Sequence, residues 1–229
     1  MTDICFGPDL DDRVIPTPPT PQGGFLFAGP KKLLAFLESA LGLTGHPNNN
    51  DYLRIEQYRQ ALLRHLEQCP DAFYAASFVA DQFATATELL SRRDELLLAG
   101  WGFDLVPEMP ERLRTLAEIE QLFHQNAEDP AARLDPGFAD RMVAIMHKLS
   151  VRPHPVRHIY LNERKELLPV HFRRLVEALA KQKGTVLHNP DAGTQAAEAP
   201  PTDLGNFKKR LVAPSGKKEK MRLQKDGSL

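Results

Sequence analysis

Between residues 158 and 187 the chain carries a succession that only a parallel sheet accommodates. His158-Ile159-Tyr160-Leu161 reads as a strand, and residues 169–183 read as a helix with Phe172, Leu175, Val176 and Leu179 on one face. Gly184 is placed to cap that helix, and Thr185-Val186-Leu187 reads as a second strand. A strand, a helix and a strand in this order form a β-α-β unit, whose strands run parallel and whose crossover is right-handed. The chain is therefore expected to be α/β rather than all-helical.

The N-terminal end fits the same architecture. Ile4-Cys5-Phe6-Gly7 reads as a strand leaving at a glycine, and the prolines at 16, 18, 19 and 21 then enforce a loop. Phe25-Leu26-Phe27-Ala28 reads as a second strand, after which Leu33, Leu34, Leu37 and Leu41 recur at helical spacing as far as Gly42. The cluster Asn48-Asn49-Asn50-Asp51 is suited to cap a helix over 52–68. Further helices are expected over 79–99, 110–123 and 136–149. In the first of these Phe83, Ala86, Leu89, Leu90, Leu97 and Leu98 face inward, and Arg92, Arg93, Asp94 and Glu95 form a polar interruption. The expected layout is the first strands and helix in 1–50, a mainly helical insert in 51–150, a β-α-β return to the sheet in 151–190, and a flexible basic tail in 191–229.

Charge is informative through its distribution. Over 229 residues, 29 Lys and Arg stand against 30 Asp and Glu, so the total points to no partner. Lys208, Lys209, Arg210, Lys217, Lys218, Lys220, Arg222 and Lys225 crowd the tail, which leaves the preceding body acidic. Cys5 and Cys69 lie far apart, without partners at metal-ligand spacing, and are expected to be reduced thiols. An early Asp3 and the following prolines exclude a secretory signal, and no run of about 18 apolar residues occurs. These features place the chain in the cytoplasm, without a membrane partner.

Catalytic chemistry is sparse. The strand-turn-helix around residues 25–43 stands where a phosphate-binding loop belongs, but Gly29-Pro30-Lys31-Lys32 has one glycine, and its proline has no N–H to offer. A capped turn into a core helix is the expectation there, and Ser215-Gly216-Lys217-Lys218 is expected to be a basic loop. Glu163-Arg164-Lys165 matches the acidic-any-lysine half of a metal-dependent nuclease signature, without an aspartate on a matching strand. His154 and His158 are separated by Pro155 and are expected to be solvated loop histidines. No Gly-x-Ser-x-Gly elbow appears, and neither cysteine has a nucleophile's context. The residues thus define no catalytic, metal or cofactor site.

A resemblance covers most of the chain. Phe27-Ala28-Gly29-Pro30-Lys31-Lys32-Leu33-Leu34 with Leu37-Glu38 and Leu41-Gly42-Leu43, followed by Arg54 and Gln57-Tyr58-Arg59, resembles the start of AddB-like PD-(D/E)XK helicase-nuclease family proteins. Phe73-Tyr74, Ser77-Phe78, Asp81, Glu88-Leu89-Leu90, Arg93-Asp94-Glu95-Leu96, Ala99-Gly100-Trp101, Arg112-Leu113 and Leu116-Ala117-Glu118-Ile119-Glu120 are similar, in order, to that family's successive N-terminal blocks. The resemblance implies a RecA-like (P-loop-helicase-like) parallel sheet, incomplete here, with a large helical insert. It also implies the front of a protein that processes DNA ends in repair or recombination, with a helicase or nuclease subunit as partner.

The family's nuclease lies at the far C-terminus, beyond this chain, and the position at Gly29, Pro30, Lys31 and Lys32 departs from a working phosphate loop. Activity is therefore not expected of the chain itself. DNA contact would fall to Lys208, Lys209, Arg210, Lys217, Lys218, Lys220 and Arg222, since phosphates require only positive charge. The Asp226-Gly227 turn suggests that the coding sequence continues into a strand beyond Leu229. Two other readings stand beside this one: a stand-alone interaction module using the helical insert as a scaffold, and a small nucleotide-dependent enzyme.

Overall fold

A computed structural model describes residues 1–12, 24–43, 51–125 and 133–190. The fold is α/β, with four strands and seven helices among the described residues: β1 (Thr2–Phe6), β2 (Phe25–Ala28), α1 (Pro30–Leu41), α2 (Asp51–Gln68), α3 (Ala75–Ala80), α4 (Gln82–Ala99), α5 (Glu111–Gln125), α6 (Phe138–Val151), β3 (Val156–Leu161), α7 (Val170–Ala180) and β4 (Val186–His188). The strands form one wholly parallel sheet in the order β2-β1-β3-β4. The chain thus passes from β2 over β1 to β3, with the entire run of α1–α6 between them.

Register assigns the two sheet faces, because alternate side chains of a strand point to opposite sides. Ile4 pairs with Leu26 and Ile159, and Phe6 with Ala28 and Leu161. This face carries the first core, where those strand residues meet Leu33, Leu34, Leu37 and Leu41 of α1, Met142 and Ile145 of α6, and Phe172, Leu175, Val176 and Leu179 of α7. The opposite face presents Phe25 and Phe27, Cys5, His158, Tyr160 and His188. Its rings contact one another: Tyr160 stacks on His188 at 4.4 Å between centroids, Phe25 lies 5.9 Å from Tyr160, and His158 lies 5.3 Å from His188. All the described helices of the first core gather on the other side.

A second core is built by helices alone. Tyr58, Ala61 and Leu62 of α2 pack with Tyr74, Phe78, Ala86, Leu89, Leu90, Leu116 and Ile119. Five charges lie beside it. The Arg54 guanidinium grips Asp94 through two bonds of 2.6 and 2.8 Å and reaches Asp140 at 2.8 Å. Arg93 binds Glu120 at 2.6 and 3.0 Å, Asp140 at 2.6 Å and Asp94 at 3.0 Å. Burial alone would lower the Arg93 pKa, but the bond to Glu120 and the charge of Asp140 outweigh it and hold the pKa raised. A Cβ on Gly137 would overlap the Arg54 guanidinium, so a side chain there would have to push Arg54 from its place among these carboxylates. Arg141 continues the chain of charges to Glu38 of α1 at 2.7 and 2.8 Å. Through Asp140 and Arg141, α6 joins the helical core to the sheet.

Several expectations require correction. The helix expected over 79–99 is two helices, broken at Asp81, which takes an extended backbone and caps α4 by accepting from the Ala84 N–H at 2.9 Å. Phe83 is largely exposed, whereas Arg93, read as part of a polar interruption, is 4% exposed because four carboxylate contacts satisfy it. Helix α7 ends at Ala180, so Gly184, with φ +94°, shapes the turn into β4 instead of capping the helix. No helix among the described residues is long and apolar enough to cross a membrane. The proline loop at 16–22, the asparagine cluster at 48–50 and the tail beyond 190 lie outside the described residues.

Candidate functional site

In open α/β sheets ligands gather at the carboxyl ends of the strands, beside a strand whose neighbours are reached in opposite directions. Here that strand is β1, with β2 on one side and β3 on the other. Three segments converge beyond it: Gly7-Pro8-Asp9-Leu10-Asp11 after β1, Gly29-Pro30-Lys31-Lys32 after β2, and Asn162-Glu163-Arg164-Lys165 after β3. The Gly7 N–H donates to the Ala28 carbonyl at 3.2 Å and the Asn162 N–H to the Phe6 carbonyl at 2.8 Å, so the sheet's hydrogen bonding extends into these loops.

Helix α1 begins at this edge. Gly29 is its N-cap in extended conformation and supplies no side chain, while Pro30 opens the first turn. The free amides of Lys31 and Lys32 instead donate to the carboxylate of Asp11, at 2.6 Å to Oδ2 and 3.1 Å to Oδ1. The Lys32 ammonium reaches the Leu10 carbonyl at 3.5 Å. A Cβ on Gly29 would overlap Asp11, so the glycine serves the close approach of that loop. A helix N-terminus attracts an anion through its unpaired N–H groups and its dipole. Both inducements are met by a carboxylate from the same chain.

The other sequence-derived candidates are dispersed. Glu163 is exposed, Lys165 pairs with Glu177 at 3.0 Å, and its N–H donates to Asn189 at 2.8 Å. No metal-ligating trio forms around them among the described residues. His154, expected to be solvated, is 7% exposed. Its Nε2 lies 3.1 Å from the Leu179 carbonyl and its Nδ1 accepts from the Val156 N–H at 3.3 Å, so one ring satisfies two backbone groups. Burial lowers its pKa, with the Leu179 bond opposing in part. His158, expected in a loop, lies in β3 on the sheet face away from α1, α6 and α7, 3.1 Å from His188. A groove of about 550 Å³ at the amino end of β3 is lined by Arg152, His154 and Gln182, whose polar groups are bonded to nearby backbone. The basic tail from Lys208 to Arg222 lies outside the described residues.

One cluster escaped the sequence reading. His65 and Cys69 are four residues apart at the end of α2, where the helical bond from the Cys69 N–H to the His65 carbonyl is kept at 2.8 Å. Glu118 on α5 joins them, and one ligand atom from each of the three lies within 4.8 Å of the others. This corrects the expectation that Cys69 has no partner at metal-ligand spacing: His65 stands four residues before it, and the fold brings in the glutamate from α5. No family model, no curated protein and no solved structure matches the chain.

Proposed function

We propose that the chain is the non-catalytic, helicase-like front portion of a DNA-end-processing nuclease acting in repair or recombination. The observation that carries this reading is the Asp11 carboxylate on the first amides of α1, beside a parallel sheet interrupted by a large helical insert. A RecA-like sheet whose phosphate position is filled from within has an architectural role and no nucleotide to hydrolyse. The order of sequence blocks from Phe27 to Glu120 supports the family, and the lysine- and arginine-rich tail supplies charge for DNA phosphates. A partner subunit then provides the motor or the nuclease.

Two measurements test this. Equilibrium dialysis against ATP with Mg²⁺ is expected to give no saturable binding, and saturable binding would establish the nucleotide-dependent enzyme instead. Deleting the gene is expected to lower survival after double-strand breaks. Unchanged survival, with capture of a defined protein partner in nuclease-treated extract, would favour an interaction module. The sheet face carrying Phe25, Tyr160 and His188, on the side away from α1, α6 and α7, is what favours that second reading, since parallel sheets are ordinarily covered on both sides and no described helix of the first core lies there.

A further inference from the structure

We infer that His65, Cys69 and Glu118 form a site for a divalent transition metal, of which Zn²⁺ is the best match. The argument begins with protons. Tyr74 has one hydroxyl hydrogen, and it is donated to the Leu62 carbonyl at 2.9 Å. The contact of 3.0 Å between Tyr74 Oη and His65 Nδ1 is therefore made by an N–H on Nδ1. That tautomer leaves a lone pair on Nε2, which faces the Glu118 Oε2 at 3.2 Å. Two acceptors at that distance are held together by a shared cation.

The surroundings match a metal. Imidazole, thiolate and carboxylate are the ordinary ligands of Zn²⁺, and atoms bound at about 2.0–2.3 Å in a tetrahedron stand about 3.3–3.7 Å apart. The nitrogen and oxygen, 3.2 Å apart, are close to that spacing, and the Cys69 sulfur, within 4.8 Å of both, needs a small approach. His65 is 3% exposed, and its second nitrogen is fixed by the Tyr74 to Leu62 relay, the outer-shell arrangement that orients a ligating histidine. The three ligands border a pocket of about 250 Å³ also lined by Asp71, Glu111, Arg114 and Thr115, where a water completes the fourth position. The ion clips the end of α2 to α5. This site is independent of the phosphate position and of the function proposed above.

The test is titration of the full chain, kept reduced, with Co²⁺ alone, followed by absorbance. The expected result is a one-to-one endpoint with a thiolate-to-metal charge-transfer band and tetrahedral ligand-field bands, all displaced by Zn²⁺. Cys69→Ser removes the charge-transfer band, and Glu118→Gln weakens binding about tenfold or more. Both positions reach solvent, so these variants leave the core intact, and Cys5→Ser retains the full spectrum. Absence of a charge-transfer band would overturn the site and leave a proton as the shared cation between His65 and Glu118. A band that survives Cys69→Ser and disappears with Cys5→Ser would overturn it as well.

Discussion

Asp11 has two roles in a few ångströms: it caps α1, and it leaves no room for a side chain at position 29. Asp11→Ala is expected to cost about 1 kcal/mol, as other helix caps do. Gly29→Ala is expected to cost about 1–3 kcal/mol through overpacking. Because the methyl would meet the Asp11 backbone nitrogen as well as its carboxyl group, and alanine keeps that backbone, the double variant should cost only slightly less than the sum of the two, which denaturant titration of all four proteins measures. Tyr58 poses the opposite case: its hydroxyl is fully buried with no hydrogen-bond partner among the described residues, and burial raises its pKa far above the usual phenol value. Tyr58→Phe should leave the melting temperature unchanged or raise it, by the equivalent of about 1 kcal/mol, and a clear fall would mean the hydroxyl is bonded after all.

His154 gives the chain an acid sensitivity. Burial holds the pKa values of His154 and His171 below that of a free imidazole. The unfolded chain takes up protons at these positions near pH 6.5, while the folded chain resists them. Stability is therefore fully present above about pH 6.5 and is lost as pH falls toward the depressed folded-state values. Protonating His154 Nδ1 would also deprive the Val156 N–H of its acceptor. Urea midpoints at about pH 7.5 and about pH 5.5 should differ more for the wild type than for His154→Gln, which carries no titrating ring.

At the scale of elements, legibility followed locality. Helix α1 could be read because Leu33, Leu34, Leu37 and Leu41 keep one period and Gly42 stops it in a left-handed turn, with φ +69°. The β-α-β return was likewise written in consecutive residues. The break between α3 and α4 was not legible, because Asp81 interrupts the run through backbone geometry and a cap, without a proline or glycine to announce it. Arg93 was misread for a related reason: periodicity ranks a residue by its own hydropathy, and its partners Glu120 and Asp140 come from other helices. The His65, Cys69 and Glu118 trio shared that obstacle. Arg93→Met is expected to cost about 3–5 kcal/mol, since it abandons buried carboxylates, and calorimetry would show whether the loss is that large. Replacing the exposed neighbour Arg92, paired only with Glu88 and Glu95 at the surface, should change little.

At the scale of the whole molecule, the described residues form two cores, joined by α6 and by Leu98 of α4, and two native probes distinguish them. Trp101, the single tryptophan, packs against the helical core, while Cys5 lies half-buried on the sheet, its thiol pKa raised by burial. In the wild type, heating should shift Trp101 fluorescence and expose Cys5 to a thiol reagent at one temperature. Arg54→Met removes contacts to Asp94 and Asp140 and should let the tryptophan transition precede the cysteine one by several degrees. Coincident transitions in that variant would mean that the remaining Arg93–Asp140 pair, together with apolar packing such as that of Leu98 on the sheet core, suffices to couple the cores.

A motor protein draws its stroke from the difference between a loop that grips a phosphate and the same loop after release. If the chain is helicase-like, as proposed above, Asp11 removes that difference. An anion carried on the chain itself has an effective concentration set by its tether, is not consumed, and competes continuously against any diffusing phosphate for the Lys31 and Lys32 amides. The first turn of α1 is thereby held in one state, and on the helicase-like function proposed above the chain would be a fixed post against which other parts move.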